Sequence, residues 1–299
     1  MDSEIITIGD EIMTGHTVDF NGTEIATALT EIGLRVRYRS SVRDSVEEME
    51  EAFRLALHRA EIVITTGGLG PTDDDLTKRA IVKVFKRNLV FHEDVLEDIR
   101  VRYAQRGIDM PAINQNQALL PQGATFFANK HGSAVGICLA EQGKVFISLP
   151  GVPYEMRQIL HDDVIPYLQN LGGVCPVATF KLRTTGIIES KLAELIASDI
   201  RLDQGASLAY LPTFSGVDLR IMASDNNRQL AAERSKRLAG TLEKKCSKYV
   251  YGYNSDTLEA VIGQLLGDND KTLSLAESCT GGQLGELVTS VPGSSRYFV

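Results

Sequence analysis

Two patterns of apolar residues alternate through the first 170 residues or so of the chain. Strand-like runs at residues 4–8, 35–42 and 61–65 alternate with amphipathic, helix-like stretches at residues 21–32 and 46–59. This order predicts an α/β fold with a mainly parallel sheet and helices on both faces. Because ligands of such sheets collect beyond the carboxyl ends of the strands, the segments that follow those strands are candidates for a site.

The pattern changes after residues 171–176, LGGVCP, where glycine and proline predict a domain boundary. Beyond it, strands are predicted at 179–185, 207–212 and 218–223, with helices at 189–199 and 227–245, which together indicate a small α+β unit. The last part predicts a helix at 257–266 and a strand at 272–276, a partial α/β segment. We therefore expect three domains, covering residues 1–170, 171–254 and 255–299.

Composition limits the class of protein. The chain has 299 residues, of which 43% are hydrophobic and 23% charged, and this is typical of a soluble globular protein. No apolar run approaches the roughly 20 residues that cross a bilayer. The N-terminus enters a strand without a basic or cleavable apolar segment, so we expect a cytoplasmic protein that does not bind membranes.

The net charge bears on the class of binding partner, and the cysteine spacing bears on metal sites and disulfides. A formal net charge of −8 argues against nucleic acid as the main partner, because phosphate neutralisation needs concentrated Lys and Arg. The four cysteines, Cys138, Cys175, Cys246 and Cys279, lack metal-type spacing and are predicted to be reduced thiols.

The run IVITTGGLGPTDDDLT at residues 62–77 is the densest chemical signal. Glycines in a turn between a strand and a helix let backbone amides approach a phosphate, whereas the aspartates of residues 73–75 repel it. A hard divalent cation such as Mg²⁺ would resolve this conflict. The alternative is that Thr72 or Asp73 caps the helix and the other aspartates only favour its dipole. The candidate binding residues here are Thr66, Gly67, Gly68, Gly70, Pro71, Thr72 and Lys78, although Lys78 could equally be a surface residue.

Two further segments fall at predicted strand ends. After the first strand, acidic side chains could bind metal or ribose hydroxyls, or could merely solvate the strand end; the candidates are Gly9, Asp10 and Glu11, with Thr14 and Asn21 as weaker ones. Pro150 and Gly151 form a rigid loop before another helix, either facing the same site or serving as a tight connector.

Three motifs in this order, ITIGDEIMTGHTVDFNG at residues 6–22, the glycine-rich run and SLPGVPYEM at residues 148–156, resemble the competence/damage-inducible protein CinA family. The resemblance covers essentially the whole chain. It implies a molybdopterin-binding-like fold for the N-terminal domain, a KH-like fold for the middle domain and a homodimer. The GXXG signature of RNA-binding KH domains is absent from the middle domain, so the resemblance favours a linker or dimer module there.

The resemblance also implies a reaction. Asp44 and Asp75 stand where related molybdopterin-binding proteins carry active-site aspartates. We expect them, with Asp74, to be catalytic residues for a small nucleotide substrate, and we expect Asp44 and Asp75 to hold a divalent metal. The family likeness implies metal-dependent hydrolysis of ADP-ribose to AMP and ribose 5-phosphate. The alternatives are a molybdopterin- or nucleotide-binding module without hydrolysis, and a competence-related interaction protein.

The segment ESCTGGQLGELVTSVPGSSRYF at residues 277–298 resembles the opening of the family's nicotinamide-mononucleotide deamidase domain. The resemblance implies that Ser278 is the nucleophile and that Thr280 contacts the substrate phosphate, although Cys279 is the stronger nucleophile on chemical grounds. The family's YSN motif would lie beyond Val299. We therefore expect these residues to be a vestigial site and do not expect deamidation.

Overall fold

A computed structural model describes residues 1–197, 202 and 204–299. The chain forms two compact units, Met1–Cys175 and Pro176–Val299. The three-domain division stays a prediction.

The first unit is built on a six-stranded sheet with the order β2-β1-β3-β8-β7-β6. Strands β2, β1, β3 and β8 are parallel, whereas β7 and β6 are antiparallel to their neighbours. Two short strands, β4 and β5, pair with each other in a separate antiparallel ribbon. The bounds are β1 Asp2–Ile8, β2 Arg35–Val42, β3 Ile62–Thr66, β4 Leu89–Phe91, β5 Leu119–Pro121, β6 Thr125–Phe127, β7 Gly136–Glu141 and β8 Lys144–Leu149.

Helices cover both faces of this sheet, as the sequence predicts. Their bounds are α1 Asp10–Met13, α2 Phe20–Glu31, α3 Val46–Arg59, α4 Thr77–Phe85, α5 Glu93–Gln105, α6 Pro153–Ile159 and α7 Ile165–Asn170. A π-helical turn at Leu160–Val164 joins α6 to α7, and a 3₁₀ segment spans Ala112–Ala118.

The central strands are apolar on both sides because both sides are covered. In β1, Ile5 belongs to the core cluster that includes side chains of α2, α6 and α7, whereas Ile6 belongs to the cluster that includes side chains of α3, α4 and α5. On the second face the rings of Phe53 and Phe146 meet edge to face, with centroids 5.0 Å apart. The prediction of a mainly parallel sheet buried on both faces is confirmed.

The second unit contains an antiparallel sheet with the order β10-β11-β9-β12, comprising β9 Val177–Thr185, β10 Ala206–Pro212, β11 Gly216–Ser224 and β12 Val250–Tyr253. Two helices, α8 Glu189–Ile196 and α9 Arg228–Cys246, share a core with this sheet around Leu182, Leu192 and Leu219. The predicted helix at 189–199 is thus present as far as Ile196, and its residues 198 and 199 lie outside the described part of the chain.

Two helices follow β12, namely α10 Leu258–Asp268 and α11 Gln283–Thr289. The predicted strand at 272–276 is wrong: Leu273 forms an isolated parallel bridge with Phe298. A strand needs a neighbour that satisfies its backbone groups, and a single bridge does not supply one. Among the described residues, no helix combines the length and the apolar character needed to span a membrane.

Candidate functional site

The carboxyl ends of β1, β3 and β8 lie side by side and bring three predicted segments together. Gly67 follows β3, and its N–H donates to Leu149 O of β8 over 3.1 Å. It has a φ of 114°, and an added Cβ would lie 2.2 Å from Ile8 O at the end of β1. An added Cβ at Gly151, after β8, would lie 3.4 Å from the Cα of Gly67. Glycine at 67 is therefore required by both conformation and space.

Asn21, in the first turn of α2, connects these strand ends. Its Nδ2 donates to Thr66 Oγ1 over 3.0 Å and to Gly151 O over 2.8 Å. Thr66 Oγ1 in turn donates to Pro150 O over 2.8 Å. The carbonyl acceptor at Gly151 fixes which end of the Asn21 amide is the nitrogen, because a flipped amide would place two oxygens in contact.

The remaining oxygen of this amide has no partner. Asn21 is only 9% exposed, and its Oδ1 is a buried acceptor without a donor in the described residues. A buried carbonyl without a hydrogen bond costs about 1–3 kcal/mol. The site therefore contains a fixed, buried acceptor that no donor of the described residues satisfies.

Asn21 lines a cavity of about 260 Å³ at this edge of the sheet. Apolar side chains form much of its wall, including Ile8, Ile12 and Val18. Of the residues predicted from sequence, the cavity brings together Glu11, Asn21, Thr66, Gly67 and Gly151. The cavity is thus apolar in its walls and rich in acceptors, which suits a flat heterocycle with N–H groups.

Asp19 also lines the cavity, and it is a residue that the sequence reasoning missed. Its Oδ1 accepts the Gly22 N–H over 2.7 Å, which makes it the N-cap of α2. Its Oδ2 accepts from Thr7 Oγ1 and from Arg39 Nη2, each over 2.9 Å. An aspartate two residues before the predicted helix at 21–32 is the signal that could have identified it.

The Asp75 carboxylate accepts hydrogen bonds from its own glycine-rich loop. Its Oδ1 accepts the Gly70 N–H over 2.7 Å, and its Oδ2 accepts the Thr72 N–H over 2.9 Å and the Thr72 hydroxyl over 2.5 Å. Thr77 also stabilises the loop, because its Oγ1 donates to Gly67 O over 2.9 Å. The amides of Gly70 and Thr72, which were predicted to bind phosphate, already donate to a carboxylate of the same loop.

The proposed capping role of Thr72 or Asp73 is wrong, because α4 begins after Leu76 and has no side-chain cap. Asp73 and Pro71 instead line a separate cavity of about 210 Å³, together with Thr72, Asp75 and Lys78.

Asp44 has different partners from Asp75. It follows β2, and its Oδ2 accepts the Asp10 N–H over 3.0 Å. Burial raises the pKa of the Asp44 carboxyl, and the negative charges of Asp10, Glu11 and Asp74 raise it further, against the lowering effect of the Asp10 N–H. Asp44 and Asp74 therefore belong to one acidic group, whereas Asp75 is engaged by its own loop.

These carboxylates do not form a ready metal site. Across the described ranges, no group of three or more His, Cys, Asp or Glu side chains is placed to hold a metal ion. Both oxygens of Asp75 are hydrogen-bonded within the loop, and one oxygen of Asp44 accepts a backbone amide. The divalent metal stays a prediction, and no chemistry proposed below passes through one.

Lys78 is not a surface residue, so that alternative is wrong. It is 9% exposed, and its Nζ donates to Asn116 O over 2.8 Å and to Gln117 Oε1 over 3.1 Å. Burial lowers the pKa of Lys78 to about 8, although the charge of Asp75 opposes this shift.

The outer candidates have local partners. The Thr14 hydroxyl donates to Asp10 O over 2.8 Å on an exposed turn and does not line the Asn21 cavity. Gly9 donates its N–H to Val42 O over 3.1 Å and so joins the ends of β1 and β2. An added Cβ at Gly68 would lie 2.4 Å from Thr77 Oγ1, so this glycine allows close packing of the loop on α4.

In the second unit, Ser278 and Thr280 lie on an exposed turn before α11. Glu277 organises the turn: its carboxylate accepts from Thr280 Oγ1 over 2.7 Å and from the N–H groups of Leu284 and Gly285 over 3.0 and 2.8 Å. Cys279 has a φ of 73°, which is unusual for a residue other than glycine. Its Sγ is 3.7 Å from Ser278 Oγ.

Comparisons with known proteins assign each part of the chain. A family model described as "Probable molybdopterin binding domain" matches residues 4–170. The "Damage-inducible protein CinA KH domain" matches residues 180–252, and the "CinA C-terminal domain" matches residues 255–299.

Individual relatives agree with these matches. A CinA-like protein of Cytophaga hutchinsonii is 43% identical over 298 residues, which are 99% of this chain and 71% of the relative. A CinA-like protein of Gemmatimonas aurantiaca is 42% identical over 302 residues, 99% of this chain and 70% of the relative. A crystal structure of the protein CinA from Thermoplasma acidophilum covers 55% of this chain and 97% of its own, with 37% identity and a TM-score of 0.51.

These findings overturn the predicted reaction. The prediction that the N-terminal domain is an ADP-ribose pyrophosphatase is wrong: the matches are to a molybdopterin-binding domain and to CinA-like proteins, and their descriptions give it no support. The argument against deamidation also fails, because residues 255–299 match the CinA C-terminal domain.

The matches are consistent with the observed architecture. The molybdopterin-binding match covers the six-stranded sheet, and the KH match covers most of the antiparallel sheet with its two helices. With relatives above 40% identity over nearly its whole length, the chain belongs to the CinA family.

Proposed function

We propose that the first unit is a binding module for a flat, N–H-bearing heterocycle of the pterin or purine class. The observation that carries this proposal is the unpartnered Oδ1 of Asn21, which is held in one orientation at the carboxyl ends of β1 and β3. The family description of residues 4–170 as a probable molybdopterin binding domain supports the same class of ligand.

The chemistry of the cavity favours such a ring. Ile8, Ile12 and Val18 offer apolar contact to its faces, and the Glu11 carboxylate is an additional acceptor among the lining residues. A ring N–H directed at Asn21 Oδ1 would satisfy an acceptor that the protein leaves unpaired, so a ligand lacking that donor would bind more weakly. The proposed role requires binding and orientation only.

Pterin fluorescence and calorimetric titration test this proposal. Wild-type protein is expected to bind a pterin or a purine nucleotide, and Asn21→Ala is expected to weaken binding by about tenfold, the effect of about 1.4 kcal/mol. Because Asn21 also connects strand ends, its loss can affect the fold, and Val18→Glu provides a second variant. Val18 is 67% exposed, so a charge there alters the cavity wall with little effect on stability.

Val101→Glu is the matched control, because Val101 is an exposed valine of α5 outside the cavity. Equal affinity in wild type and Val18→Glu, or a failure of the wild type to bind any pterin or purine, would remove the binding assignment.

Amide hydrolysis of nicotinamide mononucleotide is a second candidate, located in the second unit. The observation in its favour is the exposed Ser278 next to Cys279 on a turn whose conformation Glu277 fixes through three hydrogen bonds. In this reaction Ser278 Oγ would attack the carboxamide carbon and release ammonia, and water would then cleave the acyl ester to give the carboxylate.

Release of ammonia from nicotinamide mononucleotide measures this activity. Ser278→Ala is expected to abolish it, Cys279→Ser to preserve it, and the control Ser290→Ala, at the end of α11, to leave it unchanged. Activity that survives Ser278→Ala but is lost in Cys279→Ser would transfer the nucleophile to the thiol. The absence of ammonia release by wild type would exclude this candidate for the chain.

A further inference from the structure

A second cavity in the first unit shares no lining residue with the Asn21 cavity. It has a volume of about 200 Å³ and lies among α5, the loop before β7 and the start of α6. Its polar lining includes Arg102 and Arg106 from α5 and its end, Ser133 from the loop, and Glu155 from α6. We call it the arginine cavity.

A buried network holds the loop of this cavity in place. Asn129 is fully buried, and its Oδ1 accepts the N–H groups of His131 and Gly132 over 2.9 and 2.7 Å. Its Nδ2 donates to Ala134 O over 2.8 Å and to Glu155 Oε2 over 2.6 Å. An added Cβ at Gly132 would lie 2.1 Å from Glu155 Oε2, so the close approach of loop and carboxylate requires glycine. The cavity wall is thus fixed without a ligand.

Arg102 and Arg106 place positive charge on the part of the cavity wall that α5 and its end form. They are four residues apart at the end of α5 and therefore lie on the same face. Arg102 Nε donates to Asp98 O over 3.0 Å, and Arg106 Nη2 donates to His131 O over 2.5 Å, so backbone carbonyls position both guanidinium groups. Neither side chain forms an ion pair with a carboxylate in the part of the chain that the structure describes.

The positive charge of the two arginines is not fully balanced by the residues around them. Burial lowers the pKa of Arg102, and Arg106 lowers it further, whereas Asp98 and Glu155 oppose the shift. Glu155 is the single carboxylate among lining residues that include two guanidinium groups, so the lining carries excess positive charge. An anion that accepts hydrogen bonds from both would offset their mutual repulsion and the desolvation of Arg102.

We propose that the arginine cavity binds a phosphate group. Two guanidinium groups match the several oxygens of a phosphate, and the Ser133 hydroxyl adds a further donor at the same wall. The volume is below the roughly 300–1,000 Å³ typical of pockets for whole ligands. The cavity therefore takes the phosphate end of a phosphomonoester, or inorganic phosphate itself, and its ligand need not occupy the Asn21 cavity.

Titration with inorganic phosphate near pH 8, where the dianion predominates, tests this proposal. Calorimetry on the full chain is expected to show binding that weakens at least about tenfold in Arg102→Gln and in Arg106→Gln. Arg100→Gln is the matched control: Arg100 lies on the same helix, is paired with Glu97 at 3.6 Å and does not line the cavity. Acetate, tested in parallel at equal ionic strength, is expected to bind more weakly than phosphate.

Glu155→Gln provides a test with the opposite sign. The Oε1 atom of the glutamine can still accept a hydrogen bond from Asn129 Nδ2, so the loop keeps this contact. The substitution removes only the negative charge near the proposed phosphate. Phosphate affinity is expected to rise about tenfold or more. A direct readout that does not depend on folding of a variant is the Nε–Hε NMR signal of Arg102 in wild-type protein, which is expected to shift on addition of phosphate.

Phosphate binding that is equal in Arg102→Gln and Arg100→Gln, an Arg102 signal that does not move, or weaker binding in Glu155→Gln would each overturn the phosphate site. The outcome is separable from that of the heterocycle proposal, because Val18→Glu is expected to leave phosphate affinity unchanged. Acetate binding as tight as phosphate would replace the assignment with a carboxylate site and so overturn it as well.

Discussion

At the scale of single residues, two side chains of the first unit's site use their oxygens in opposite ways. Asp75 directs both carboxylate oxygens into its own loop, where they accept the Gly70 and Thr72 amides. Asn21 instead keeps one oxygen unpaired in a buried position. From sequence, Asp75 ranked above Asn21, because the family resemblance places an active-site aspartate at position 75. Hydrogen-bond partners, which no sequence pattern specifies, show which of these oxygens the protein already uses and which it leaves unpaired.

Lys78 allows a prediction about stability and pH. Its pKa of about 8 in the folded protein lies below the ordinary 10.5, so the unfolded chain binds more protons between these values. The contribution of Lys78 to the free energy of unfolding therefore rises as pH increases from about 8 to 10.5, by about 3 kcal/mol in total. Lys78→Met removes this rise, and the difference in unfolding free energy between wild type and variant should grow with pH.

Urea unfolding at roughly pH 7 and roughly pH 10 measures this difference, because other titrating groups contribute equally to both proteins. Lys83→Met on the same helix is the control, since the Lys83 side chain is 52% exposed. A wild-type advantage over Lys78→Met that stays constant across this range would contradict a depressed pKa.

At the scale of elements, hydrophobic periodicity predicted most of the first unit. The predicted helices at 21–32 and 46–59 correspond to α2 Phe20–Glu31 and α3 Val46–Arg59, because each buries a continuous apolar face. Periodicity failed at residues 272–276, where a β-like composition lacks a neighbouring strand and Leu273 forms one bridge. It also could not find the cavity of Arg102 and Arg106, because residues far apart in sequence form its wall.

The connection between β3 and α4 supplies a prediction at this scale. Gly67→Ala would force a Cβ to within 2.2 Å of Ile8 O while keeping a φ of 114°. Strain of this kind and a backbone clash each cost about 1–3 kcal/mol, so we expect a destabilisation of about 3 kcal/mol or more. Thermal and urea unfolding measure it. Gly267→Ala in α10 is the control and should be neutral or stabilising, because the added Cβ would meet open space beyond its own helix. A similar effect in both variants would refute the argument.

At the scale of the whole molecule, each unit holds its own core, and the first unit should therefore fold without the second. Both core clusters of the first unit lie within Met1–Cys175, and all its sheet pairings are internal. A fragment of residues 1–175 is expected to unfold cooperatively in urea and to keep the phosphate response of the arginine cavity.

A fragment of residues 1–152 is the matched control for this prediction. It keeps every strand of the six-stranded sheet but lacks α6, the π-helical turn and α7. These segments carry five buried side chains of the first core cluster, Met156, Ile159, Leu160, Val164 and Leu168. Burial of each contributes about 1.5–3 kcal/mol, so their joint loss is comparable with the whole stability of a domain, about 5–15 kcal/mol. Cooperative unfolding of 1–175 but not of 1–152 is the expected pair of results. If both fragments unfolded with the same cooperativity, the helices after β8 would not be needed to complete the core; if neither did, the first unit would depend on residues beyond Cys175 for its stability.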